Sequence, residues 1–230
     1  MRQIIAIGGG GFGRNTGVHK IEQYILDQSN KSVPKICFIP TASAESSEYI
    51  DKYYEVFDRL KCTPSHLHFF KRTPNLDEVF SDNDIFFVGG GNTKSMLAVW
   101  QDWGVDKLLY DAYKSGKVMS GVSAGAICWF NQGVTDSWDH ELKLIDCLNF
   151  VPGNCCPHYD EEPERIPYTH QFLKEEKIRS IFCIEGGSAL HFIDEKPHIN
   201  VQFHKDKHSY LATYSDGDIK ESKFTNLYLS

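Results

Sequence analysis

The sequence predicts a three-layer α/β fold, a mostly parallel sheet flanked by helices, with all 230 residues in one domain. Three observations carry this. Short runs rich in β-branched and aromatic residues alternate with longer amphipathic stretches, the pattern of strands joined by helical crossovers. Several runs are apolar at nearly every position, as strands covered on both faces are. Glycine-rich turns follow three of them, after Ile7, Val88 and Gly121.

The first strand is Gln3 to Ile7, leading into Gly8-Gly9-Gly10-Gly11-Phe12-Gly13. It reads as a strand and not a secretion signal, because its short apolar stretch meets glycines instead of an Ala-x-Ala cleavage site. A helix is expected over Val18 to Asp27, then a strand over Lys35 to Pro40 with the turn Thr41-Ala42-Ser43, and a helix over Ser46 to Leu60. Strands at Ser65 to Phe69 and Asp84 to Val88 come next. Two helices follow, Asn92 to Trp100 and Val105 to Lys114, the second with apolar residues at 105, 108, 109 and 113. A strand at Lys117 to Gly121 ends in a serine turn, with helix-compatible residues from Ala126 to Phe130. The stretch from Asp136 to Thr169, holding Pro152, Pro157, Pro163 and Pro167, reads as a long irregular loop, and long ordered loops are often functional. After a strand at Ser180 to Ile184 the pattern turns to alternating segments at Ala189 to Ile193, Ile199 to Phe203 and Tyr210 to Tyr214. With the turn signal Asp216-Gly217 they predict a C-terminal antiparallel edge.

Composition excludes several classes. Hydrophobic residues make up 41% and charged residues 24%, with no apolar run near the roughly 20 residues of a membrane span. A net charge of −7 lacks the basic face that phosphate-backbone binders need, so no nucleic-acid partner is expected. Seven cysteines, none in Cys-x-x-Cys spacing, disfavour a disulfide framework or a zinc ribbon and fit a reducing, cytoplasmic setting.

In open α/β sheets ligands bind beyond the carboxyl ends of the strands, so the chemistry is sought there. The turn Gly121-Val122-Ser123-Ala124-Gly125 satisfies G-x-S-x-G in its strand-turn-helix context. A tight turn with an incidental serine is the plainer alternative. A serine hydroxyl needs a base, and among ten histidines His158 stands out, behind Pro157 inside the proline-rich stretch. The acid that would orient it is either Asp136 or Glu185, and both stay open. The loop Gly89-Gly90-Gly91-Asn92-Thr93 could complete an oxyanion hole with the N–H of Ala124, or be a simple strand-to-helix turn.

Three rival sites are weaker. Gly91-Asn92-Thr93-Lys94-Ser95 is no Walker A motif, because Thr93 stands where a glycine must precede the lysine. Gly8 to Gly13 formally matches G-x-G-x-x-G, but the second strand ends in Ile39-Pro40-Thr41-Ala42-Ser43 without the acid that a ribose requires. A metal site from Cys155, Cys156, His158 and His170 would ask adjacent cysteines to share one ion. The run from Asp160 to Arg165 reads as a solvated face close enough to His158 to border a pocket.

Taken together, the first glycine loop, Pro40-Thr41-Ala42-Ser43, Gly89-Gly90-Gly91-Asn92-Thr93, Gly121 to Gly125 and Pro157-His158-Tyr159 resemble the dipeptidase E and cyanophycinase group of serine peptidases, built on a class I glutamine amidotransferase-like fold. The resemblance implies that Ser123 attacks a peptide carbonyl and that His158 acts as base and then acid. It implies that amides of Gly90 or Gly91 and Ala124 hold the oxyanion, with Asp136, slightly favoured, or Glu185 as the acid. Dipeptidase E enzymes prefer an N-terminal aspartate. Here the stretch after His158 is mainly acidic, with Arg165 the only cation before Lys174, so the sequence leaves that preference open. The expectation is a cytoplasmic serine peptidase acting on a short peptide, as monomer or homodimer, without metal or organic cofactor. The alternative is a non-catalytic protein of the same fold that binds a small acidic metabolite at its glycine loops. A cysteine nucleophile is discounted, since Cys128 lies five residues past Ser123.

Overall fold

The computed structural model describes residues 1–14, 19–139 and 141–230. In chain order its elements are β1 (Gln3–Ile7), α1 (Lys20–Asp27), β2 (Lys35–Ile39), α2 (Ser47–Phe57), β3 (Thr63–His66), α3 (Leu76–Asp82), β4 (Ile85–Val88), α4 (Thr93–Trp103), α5 (Val105–Lys114) and β5 (Val118–Val122). There follow α6 (Ala124–Ile127), β6 (Phe130–Thr135), β7 (Lys143–Asp146), β8 (Val151–Cys156), α7 (Arg165–Lys174), β9 (Ser180–Ile184), β10 (Ser188–Ile193), β11 (Lys196–Gln202), β12 (Ser209–Ser215), β13 (Asp218–Lys223) and β14 (Asn226–Tyr228). Val18, expected to open α1, lies outside the described residues.

The main sheet has the order β14-β11-β10-β1-β5-β4-β2-β3. Its β1-β5-β4-β2-β3 portion is parallel, and β10 joins β1 antiparallel. Alternation along β1 sorts the core. Ile5 and Ile7 face α1 and α2, in a cluster with Ile21, Ile25, Tyr53 and Phe57. Ile4 and Ala6 face the other way, into a cluster holding Met96, Trp100, Leu109 and Tyr113 of α4 and α5.

That second cluster also holds Phe130, Val151 and Phe182, which belong to a second sheet of order β13-β12-β9-β8-β6-β7. The second sheet is where the sequence reading and the structure part. Tyr210 to Tyr214 was expected on the edge of the main sheet, yet it forms β12 and pairs with β9. The supposed loop from Asp136 to Thr169 contains β7, β8 and the first turn of α7. Pro152 and Gly153 mask β8, which pairs in parallel with β6 across a register shift. Pro167 sits in the first turn of α7, where a missing N–H costs little. The helix expected after the serine turn is only the four residues of α6, because β6 begins at Phe130.

Candidate active site

Two consecutive carbonyls at the end of β1 hold Ser123 and His158, the two residues expected from the sequence to react. Ser123 N donates to Ile7 O at 3.1 Å, and His158 N donates to Gly8 O at 3.0 Å. Ser123 thus leaves β5, and His158 leaves β8, at one point of the molecule. Both line a cleft of about 330 Å³ together with Gly10, Gly90, Gly91, Tyr49, Arg14 and Lys52.

Ser123 has φ 59° and ψ −113°, a conformation costly for any residue with a side chain, which projects it from the strand-to-helix turn. Its flanking glycines are needed for space. A Cβ on Gly121 would stand 2.3 Å from Gly125 O, and one on Gly125 would stand 2.1 Å from Val88 O. Ser123 Oγ has no hydrogen-bond partner among the described residues, an arrangement that often tightens only when substrate binds.

His158 also has positive φ, 52°, and the chain turns back at once, with Glu161 N donating to His158 O at 3.1 Å. That reversal sets the Glu161 carboxylate on the imidazole, with 2.5 Å between His158 Nδ1 and Glu161 Oε2. A carboxylate only accepts, so Nδ1 carries the hydrogen and Nε2 is left as the basic nitrogen. Two glycines from other parts of the chain make the seat. A Cβ on Gly9 would meet Glu161 Oε2 at 2.3 Å, and one on Gly186 would meet the Glu161 carboxyl carbon at 2.1 Å. Asp160 holds that second glycine in place by accepting from Gly186 N at 2.8 Å. Arg14 Nη1 reaches the same Glu161 oxygen at 3.0 Å.

Neither carboxylate expected from the sequence touches His158. Asp136 follows the last residue of β6 and is exposed. Glu185 follows β9 but turns toward β12, accepting from Tyr210 Oη at 2.9 Å and His208 N at 2.8 Å. Glu161 was passed over as part of an acidic surface run; its only sequence signal is its place one turn beyond His158.

Of the residues expected around an oxyanion, Gly90 lies nearest to the serine, since a Cβ there would stand 3.3 Å from Ser123 Cβ. Gly91 lines the same wall, and Ala124 opens α6 directly after the serine. The amides of Gly91 and Ala124 have no partner among the described residues. Asn92 is otherwise engaged: its side chain caps α4 by accepting from Ser95 N at 2.9 Å and donates to Ser137 O at 3.2 Å.

Burial pushes the Tyr49 hydroxyl up to about 12, so it faces the cleft as a neutral phenol. Burial also lifts the thiols of Cys128, Cys155 and Cys156, leaving them poor nucleophiles. Among the described residues no group of three or more metal-ligating side chains converges, and no helix is long and apolar enough to cross a membrane.

Residues 4–200 match the model of peptidase family S51. The chain is 42% identical over 231 residues to the uncharacterized peptidase YgaJ of Bacillus subtilis (strain 168), covering all of both proteins. It is 24% identical over 186 residues to peptidase E of Pasteurella multocida (strain Pm70), covering 74% of this chain and 75% of the relative. Among solved structures, a peptidase from an acI-B1 Actinobacterium superposes with a TM-score of 0.67 at 18% identity, over 98% of this chain and 94% of the other. That likeness agrees with the class I glutamine amidotransferase-like fold expected from the sequence. The chain belongs to peptidase family S51 and is a serine-type peptidase.

Proposed function

We propose that the protein cleaves short peptides through an acyl-enzyme, with Ser123 as nucleophile, His158 as general base and acid, and Glu161 as the carboxylate that orients the imidazole. The observation that carries this reading is the Glu161 carboxylate on His158 Nδ1, in the cleft that the strained Ser123 also lines.

In the first half-reaction Ser123 Oγ bonds to the peptide carbonyl carbon as His158 Nε2 takes the hydroxyl proton. The carbonyl oxygen becomes an oxyanion, for which the amides of Gly91 and Ala124, without a partner among the described residues, are the available donors. Collapse of the intermediate breaks the C–N bond, and His158 passes its proton to the leaving nitrogen. Water then attacks the ester by the same route, releasing the acid and restoring Ser123. Glu161 stabilises the imidazolium formed in each half. The cleft volume sits at the low end of small-ligand sites, which suits a substrate of a few residues.

The test is hydrolysis of a dipeptide panel, with Asp-X, Glu-X and neutral X-X members, by wild type and Ser123→Ala. Cleavage that disappears with the serine is the expected result. Cleavage surviving Ser123→Ala would refute Ser123 as the nucleophile, and no cleavage of any member by wild type would refute dipeptide hydrolysis and favour a fold that binds a small acidic metabolite.

A further inference from the structure

Arg14 is absent from the catalytic account given so far, yet it stands in the catalytic cleft. It comes from the first glycine loop, and its side chain is 57% exposed. Only Nη1 is engaged among the described residues, with Glu161. Nε and Nη2 have no partner among the described residues, and two adjacent guanidinium donors match the two oxygens of a carboxylate. Lys52 lines the same cleft and pairs with Glu48 Oε1 at 2.8 Å, but its ammonium is a point charge without a fixed pair of adjacent donors. Among the described residues, Arg14 is the cation of this cleft that can offer a carboxylate two adjacent donors.

The chemistry says which part of a substrate lies there. The leaving nitrogen takes its proton from His158, so the residue that departs rests on the His158 side of the serine. Arg14 lies on that side, one carboxylate beyond the imidazole. In a residue with a free C-terminus the α-carboxylate carbon is only two bonds from that nitrogen. We propose, building on the acyl-enzyme reading above, that Arg14 receives the free α-carboxylate of the leaving residue, so that the cleft favours the last peptide bond of its substrate. An internal bond or an amidated terminus presents no anion at that point and leaves the two donors unanswered. Arg14 keeps its Nη1 bond to Glu161 throughout, so carboxylate binding and the orientation of His158 share one side chain.

The experiment separates this subsite from the reaction. Dissociation constants are measured by calorimetry in the Ser123→Ala background for Asp-Leu, Ala-Leu and their C-terminal amides, each peptide being checked by chromatography to be intact after the titration. The measurements are repeated with Arg14→Ala and Arg14→Lys added. Amidation is expected to weaken binding about tenfold or more when Arg14 is present, by less with lysine, and hardly at all with alanine. An amidation penalty that survives Arg14→Ala overturns the proposal. So does an Arg14→Ala loss that follows the aspartate side chain and ignores amidation, for Arg14 would then read the first residue. Binding is scored without catalysis, so the serine reading can fail in the turnover assay while this one stands, and the reverse.

Discussion

Ser123 is legible in the sequence because its requirements are local: two glycines, a strand before it and a helix after it lie within a few residues. Glu161 is not legible in that way. What distinguishes it from Asp160 and Glu162 is a seat built by Gly9 and Gly186, which the fold brings from far along the chain. Asp136 and Glu185 looked plausible because both follow strands, yet one ends exposed and the other serves Tyr210 and His208. Substitution tests the difference. Glu161→Gln should lower kcat by roughly 10⁴, the usual cost of losing an orienting carboxylate while keeping its shape, whereas Asp136→Asn should leave kcat within about twofold. Steady-state kinetics on the best member of the dipeptide panel decide it, and a large loss from Asp136→Asn with a mild one from Glu161→Gln would reverse the assignment.

At the scale of elements, the first glycine loop shows how a familiar pattern can arise from packing. Its glycines meet the G-x-G-x-x-G spacing, but the loop is pinned by Phe12, whose ring packs among Phe38, Tyr49, Tyr53, Phe57 and Phe87. From α1, Glu22 accepts from Phe12 N at 2.6 Å beneath the same loop. Burial raises Glu22 from 4.5 to about 7, although the bond from Phe12 opposes the rise. Between those values the folded protein keeps a proton that the unfolded chain has lost, so stability falls as pH climbs through the window. Above about 7 the deficit is complete, at most about 3 kcal/mol. Glu22→Gln keeps an acceptor for Phe12 N and cannot ionise. Its melting temperature should match that of wild type near pH 4.5 and exceed it near pH 8, as thermal denaturation at the two pH values would show. An equal offset at both would mean that Glu22 does not titrate in this window. The parallel strands of the main sheet were readable because each is covered on both faces. The second sheet was not, since β8 carries a proline and a glycine and owes its form to β6 and β9 on either side.

For the molecule as a whole, the two sheets share one apolar cluster, in which Ile4 and Phe86 of the main sheet meet Phe130 and Phe182 of the second. Neither sheet can lose its partner without exposing that surface, so a single cooperative transition is expected. Scanning calorimetry should give a van't Hoff enthalpy equal to the calorimetric one, and two resolved transitions would show that the sheets unfold as separate units. The shared attachment of Ser123 and His158 to β1 also bears on how the enzyme is made. β1 lies between β5 and β10, and Gly8, which carries His158, itself donates to Ser188 O at the start of β10. The strand on which the site hangs is among the earliest synthesised, but its second neighbour comes about 180 residues later. A nascent chain therefore carries Ser123 and His158 before the strand that pins Gly8 has been made, and the seat of both is finished only once β10 has been added.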